Sequence, residues 1–111
     1  MSDIEQVGDF PVQITLRDGT IWVDGEVDLS NAHHLRSAIE EMGDGSRTRV
    51  DLSGVTFIDS AGLHAIQLAT RSLNHGGRVV LVNPPSQIVK IVALLGLDRL
   101  PNLEMEGRAD G

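Results

Sequence analysis

Val50-Asp51-Leu52-Ser53-Gly54-Val55-Thr56-Phe57-Ile58-Asp59-Ser60-Ala61-Gly62-Leu63 is the stretch that decides the fold. An apolar, strand-like run ends in Asp59-Ser60-Ala61-Gly62, and a helical pattern begins at once. Leu63, Ile66, Ala69 (or Thr70) and Leu73 recur at the three-to-four spacing of a helix that buries one face. Asp59 and Ser60 are both residue types whose side-chain oxygens cap free N–H groups at a helix start. Ser60 is therefore expected near a helix N-terminus at the end of a buried strand, with its hydroxyl available to a partner. A phosphate placed there would meet free N–H groups and the positive end of the helix dipole.

Upstream of this junction, Val12, Ile14 and Leu16 alternate with Gln13, Thr15 and Arg17, the period of a half-buried strand. Asp18-Gly19 is a hairpin turn signal. Ile21, Val23 and Gly25 continue the alternation in an antiparallel second strand, with Trp22 on its other face. Gly25 to Asn31 leaves that strand for a helix, with Ser30 or Asp28 as its N-cap. Leu35, Ile39 and Met42, with Ala32 and Ala38, give the helix one apolar stripe, and Gly43 to Gly45 should end it. His33 and His34 fall in its first turn. Neighbouring helical residues point about 100° apart, so the pair is expected to face solvent rather than share a metal ion. Residues 1–11, polar and holding Gly8 and Pro11, are expected to form a flexible lead-in.

Downstream, the helix that begins at Ser60 should end near Asn74, closed by Gly76-Gly77. Val79 to Val82 is continuously apolar, as a strand buried on both faces would be, and Pro84-Pro85 stops it. Ser86 is expected to cap a last helix with Ile88, Ile91, Val92 and Leu95 on one face, ended by Gly96. Leu103-Glu104-Met105 reads as a short edge strand, and residues 107–111 as a frayed tail. The expected fold class is α/β, in the order β-β-α-β-α-β-α-β. It is a single domain over residues 12–106, with a mixed, mostly parallel sheet packed by helices and one antiparallel pairing.

The 111 residues suffice for one sizeable core, and 41% hydrophobic with 23% charged residues is ordinary for a globular protein. With only Phe10, Trp22 and Phe57 as aromatics, the core must be built from Val, Ile, Leu and Ala. A formal charge of −7 opposes binding to nucleic acid or to an anionic membrane, both of which need clustered Lys and Arg. The absence of cysteine removes disulfides, thiolate nucleophiles and Cys-type zinc sites. The acidic start Met1-Ser2-Asp3-Ile4-Glu5 lacks the layout of a signal peptide, and no apolar run approaches a membrane span. A cytoplasmic location is expected.

A strand-turn-helix serine invites comparison with a nucleophile elbow, but the elbow needs Gly-x-Ser-x-Gly and this chain reads Ile58-Asp59-Ser60-Ala61-Gly62. The first glycine is missing, and neither His64 nor His75 is placed as a base by any motif. No phosphate loop or dinucleotide fingerprint occurs. Asp28, Asp51 and Asp59 are better read as caps or solvated loop residues than as a magnesium site. No enzyme activity, metal or cofactor is expected.

Gly25-Glu26-Val27-Asp28, the stretch Val50 to Leu63, Gly76 to Val82 and Ile91 to Leu97 together resemble the STAS domain, named for sulfate transporters and anti-sigma factor antagonists. The resemblance spans roughly residues 12–106, and the chain looks like a stand-alone bacterial member, an anti-anti-sigma factor. What the resemblance implies is a partner switch. In the family, an anti-sigma factor serine kinase phosphorylates the serine after the aspartate, and the unphosphorylated antagonist binds that kinase and frees the sigma factor. A metal-dependent serine phosphatase reverses the modification. Carried over residue by residue, Ser60 is the phosphoacceptor and Asp28 contributes to kinase contact. Asp59, Ala61, Gly62, Leu63 and His64 complete the turn and the partner surface.

Ala61 replaces the second hydroxyl that many members carry, leaving one acceptor, and His64 replaces a small glycine, with consequences for partner choice or pH response. The closing helix of many members is expected to be absent or reduced to residues 107–111. Two other readings accompany the switch. One is a STAS subunit of a transporter or stress-signalling complex in which Ser60 is structural; the other is a small-ligand or nucleotide sensor at the Asp59-Ser60 turn.

Overall fold

A computed structural model describes residues 5–7, 12–42, 47–73 and 77–107. Strands β2 (Val12–Arg17) and β3 (Thr20–Val27) form the expected hairpin. Its turn places both Asp18 (φ 55°) and Gly19 (φ 74°) in the left-handed region, as the tight two-residue hairpin turn requires. Three strand–helix–strand crossovers follow: α1 (Ala32–Met42) leads to β4 (Arg47–Ile58), α2 (Ser60–Ser72) to β5 (Arg78–Val82), and α3 (Ser86–Leu94) to β6 (Leu103–Glu106). A short 3-10 helix, Leu97–Arg99, lies between α3 and β6.

Among the described residues the sheet has six strands in chain order, with β3, β4, β5 and β6 parallel. It carries two antiparallel pairings rather than the one expected, because Glu5–Val7 forms a further strand, β1, against β2. Part of the supposed lead-in is thus paired. Three residues, Glu-Gln-Val, are too few to display a period of two, and the open edge of β2 supplies what the local pattern lacks.

Alternation assigns the two faces of the sheet. Ile14, Ile21, Val23, Val50, Leu52, Val79 and Leu81 join Leu35 and Ile39 of α1, Leu63 and Ile66 of α2, and Ile88 and Val92 of α3 in one core. The opposite face carries Arg47, Arg49 and Asp51 of β4, Val80 and Val82 of β5, and Glu104 and Glu106 of β6. There Glu104 accepts from Arg47 (2.6 Å) and Arg78 (2.9 Å), and Glu106 accepts from Arg49 (2.6 Å). The run Val79 to Val82 is buried throughout, as its composition implies. Asp51, also buried, accepts from the Ser53 amide and hydroxyl at 2.9 and 2.6 Å.

Helix α3 departs from expectation at both ends. Pro85 occupies the N-cap and Ser86 is the first helical residue, making no capping bond. Leu95, expected in the apolar stripe, is 54% exposed. Gly96 adopts φ 74° and turns the chain, so that Leu97 rather than Leu95 enters the core. Helix α2 ends at Ser72, just short of the expected Asn74. The stops at Gly43 to Gly45 and at Gly76, and the tail at 108–111, lie outside the described residues.

Candidate functional site

The site lies where β3 and β4 end and α1 and α2 begin. Asp59 is the N-cap of α2: its extended backbone (φ −101°, ψ −174°) lets Oδ1 accept from the Gly62 amide at 3.0 Å. The Asp59 amide donates to the Val27 carbonyl at 3.2 Å, and its carbonyl accepts from the Leu63 amide at 3.1 Å. The turn is thus tied to β3 behind it and to the helix ahead of it. Ser60 follows as the first helical residue, exposed, and its hydroxyl makes no hydrogen bond among the described residues. The aspartate supplies the cap, so the serine oxygen is not needed for it.

Gly62 allows this geometry. A Cβ there would stand 2.6 Å from Cγ1 of Ile58 and 2.8 Å from Cγ1 of Val27, so the helix start rests directly on the ends of both strands. Gly62 and Leu63, expected on the partner surface, are buried, Leu63 completely. They hold the turn in place from beneath. Ala61 is half-buried and His64 exposed, and both open outward beside Ser60.

The adjoining loop is fixed by two side chains. Asp28, one of the two caps expected for α1, closes the turn that leads into it: Oδ1 accepts from the Ser30 amide (2.9 Å) and hydroxyl (2.6 Å), while its carbonyl accepts from the Ala32 amide (2.8 Å) at the start of α1. Asn31, buried, accepts from the Asp28 amide through Oδ1 at 2.9 Å and donates from Nδ2 to the Glu26 carbonyl at 2.9 Å. This arrangement pushes Leu29 outward to 81% exposure. Leu29, Asp59, Ser60, Ala61, His64 and Gln67 then face Leu95 and Leu97 across an open depression of about 560 Å³, floored by Leu63. Asp28 itself stands one residue outside this depression.

Sequence reasoning missed Leu29, Gln67, Leu95 and Leu97 as neighbours of Ser60, and Asn31 as the clamp of the loop. For Leu29 a signal existed: a leucine between Asp28 and Ser30 belongs to neither apolar stripe. The histidines at 33 and 34 touch each other, with ring centroids 4.0 Å apart and planes tilted by 37°. Among the described residues no group of three or more His, Cys, Asp or Glu could hold a metal ion. Among them also, no helix is long and apolar enough to cross a membrane.

With this geometry in place, likeness to known proteins is informative. A family model described as "Mlab, STAS domain" matches residues 10–104. An anti-sigma factor antagonist from Mycobacterium paratuberculosis superposes with a TM-score of 0.67 at 24% identity, over 91% of this chain and 85% of its own. A putative anti-sigma factor antagonist from Thermotoga maritima gives 0.65 at 22%, over 86% and 85%. The anti-sigma factor antagonist SpoIIAA, in its unphosphorylated form, gives 0.60 at 17%, over 96% and 89%. At these identities the superpositions establish a common fold. No curated protein matches the chain. The family match covers most of the chain, from the start of the hairpin to the last strand, and the chain belongs to the STAS domain family.

Proposed function

We propose that this protein is an anti-sigma factor antagonist, a binding module rather than an enzyme, switched by phosphorylation of Ser60. In its unphosphorylated form it binds an anti-sigma factor serine kinase in the cytoplasm and releases the sigma factor. A metal-dependent serine phosphatase restores the binding form. One observation carries the reading: an exposed serine hydroxyl, unbonded among the described residues, at the first position of a helix and beside an apolar depression rimmed by exposed leucines. The names borne by the structural neighbours support the same role.

Physical chemistry explains why one phosphate suffices. It adds about −1.5 to −2 charge at pH 7. On the free protein the charge sits at a helix N-terminus, where it is stabilised by the dipole, so the fold is retained. Under a docked partner it must lose water beside the Asp59 carboxylate, at a cost of several kcal/mol. About 3 kcal/mol already weakens binding more than a hundredfold.

The decisive experiment pairs mass spectrometry of Ser60 in cells with purification of what binds Ser60→Ala and Ser60→Asp. The expected result is a kinase held by the alanine variant and lost by the aspartate variant, with unchanged circular dichroism. Undiminished binding by Ser60→Asp would remove the switch, and recovery of transporter subunits would replace it with a structural role in a larger complex.

A further inference from the structure

The chain carries 16 acidic against 9 Lys and Arg residues, yet a groove between α1 and α2 is lined by no carboxylate among the described residues. It has a volume of about 240 Å³. Ala32, Ala61 and Ala65 line it with small apolar groups, and His33, Arg36 and His64 supply its polar nitrogens. It adjoins the depression beside Ser60, since Leu29, Ala61 and His64 border both. Arg36 is already engaged with a carboxylate: its Nε donates to Glu40 of the same helix at 2.9 Å, on an exposed surface where the pair adds little. The terminal guanidinium nitrogens make no hydrogen bond among the described residues, and a planar guanidinium can serve a second carboxylate.

We infer that this groove receives an acidic segment of the binding partner, an aliphatic side chain resting on the alanines and a carboxylate held by Arg36, His33 and His64. The inference rests on the partner-binding role proposed above and adds to it the chemistry that the partner presents. Charge complementarity singles out this occupant. On a chain of net charge −7, a carboxylate-bearing segment is repelled from most of the surface and accepted here. Small side chains let a partner backbone approach closely, while the nitrogens fix its register.

The test uses the full chain, labelled with ¹⁵N and titrated with a short capped peptide of alternating leucine and glutamate, then with its lysine counterpart. Amide shifts centred on Ala32, His33, Arg36, Ala61, His64 and Ala65 are expected with the acidic peptide only. Arg36→Glu should weaken that binding about tenfold or more, as loss of a charge-assisted contact does. Glu40→Gln, which frees the guanidinium, should strengthen it about twofold. Equal response to both peptides, shifts confined to the Ser60 depression, or full affinity in Arg36→Glu would overturn the inference. Concentration-dependent shifts without peptide would overturn it in favour of a second copy as occupant. The two readings fail separately. A silent groove in a protein whose partner still responds to Ser60→Asp removes the groove alone; a partner indifferent to Ser60→Asp removes the switch and leaves the peptide result standing.

Discussion

Replacing Gly62 by alanine tests whether the helix start is held by contact with the strand ends. The added methyl would meet Ile58 at 2.6 Å and Val27 at 2.8 Å, distances that real Cβ atoms do not occupy, so the first turn of α2 must lift or both neighbours must move. Overpacking of this kind costs about 1–3 kcal/mol. Alanine returns up to about 1 kcal/mol of helix propensity, which leaves a net loss on the order of 1 kcal/mol. Urea unfolding should show a lower midpoint at unchanged slope. Because Asp59 caps through the Gly62 amide, the same displacement should also lower the affinity of the Ser60 surface for its partner. Val27→Ala removes one of the clashing carbons. In a double-mutant cycle the two substitutions should therefore couple favourably, by about 0.5 kcal/mol or more. A Gly62→Ala protein as stable as the parent, or a strictly additive double variant, would refute the close-packing argument.

Asp59→Ala should cost about 1 kcal/mol in urea unfolding, the loss of one N-cap bond, whereas Ser60→Ala should change stability by less than about 0.5 kcal/mol. Leu29→Ser should leave the unfolding midpoint unchanged, since the side chain is 81% exposed. Partner affinity by calorimetry should nevertheless fall about tenfold, and an unaltered Kd would take Leu29 out of the interface. The carboxyls of Glu40, hydrogen-bonded by Arg36, and Glu106, hydrogen-bonded by Arg49, are held below their ordinary value of 4.5. A lowered folded value means that their contribution is complete above that pH and fades as pH falls through the folded values. The urea midpoint should accordingly drop below pH 4.5, and more shallowly in a Glu40→Gln, Glu106→Gln protein; identical slopes in the two proteins would contradict this assignment.

Much of the architecture was legible because hydrophobic period and turn chemistry agreed along the chain. Asp18-Gly19, the Val79 to Val82 run and the Leu63 to Thr70 stripe each imply one local structure, and each forms it. Strand β1 was not legible, because its pairing depends on the open edge of β2 rather than on its own residues. Leu95 was misplaced for a related reason. A stripe on paper continues past the point where Gly96 turns the backbone, and only the turn decides which leucine goes inward. At the site, Asp59 and Ser60 announced a helix start. That Asp59 alone would cap, and that Asn31 would clamp the neighbouring loop, depends on distances between segments that no spacing reveals.

The arginine–glutamate ladder on the outer face of the sheet has a consequence for survival in a crowded solution. Strand β6 is only four residues long, and among the described residues it alone covers the far edge of β5, whose Val79-Val80-Leu81-Val82 is the most aggregation-prone segment by composition. Arg47 and Arg49 reach across β5 to Glu104 and Glu106, joining residues 57 positions apart in the chain. Each pair adds little to equilibrium stability at such exposure. Together they raise the cost of peeling the final strand away, and so make a bare valine-rich edge a rarer target for another molecule.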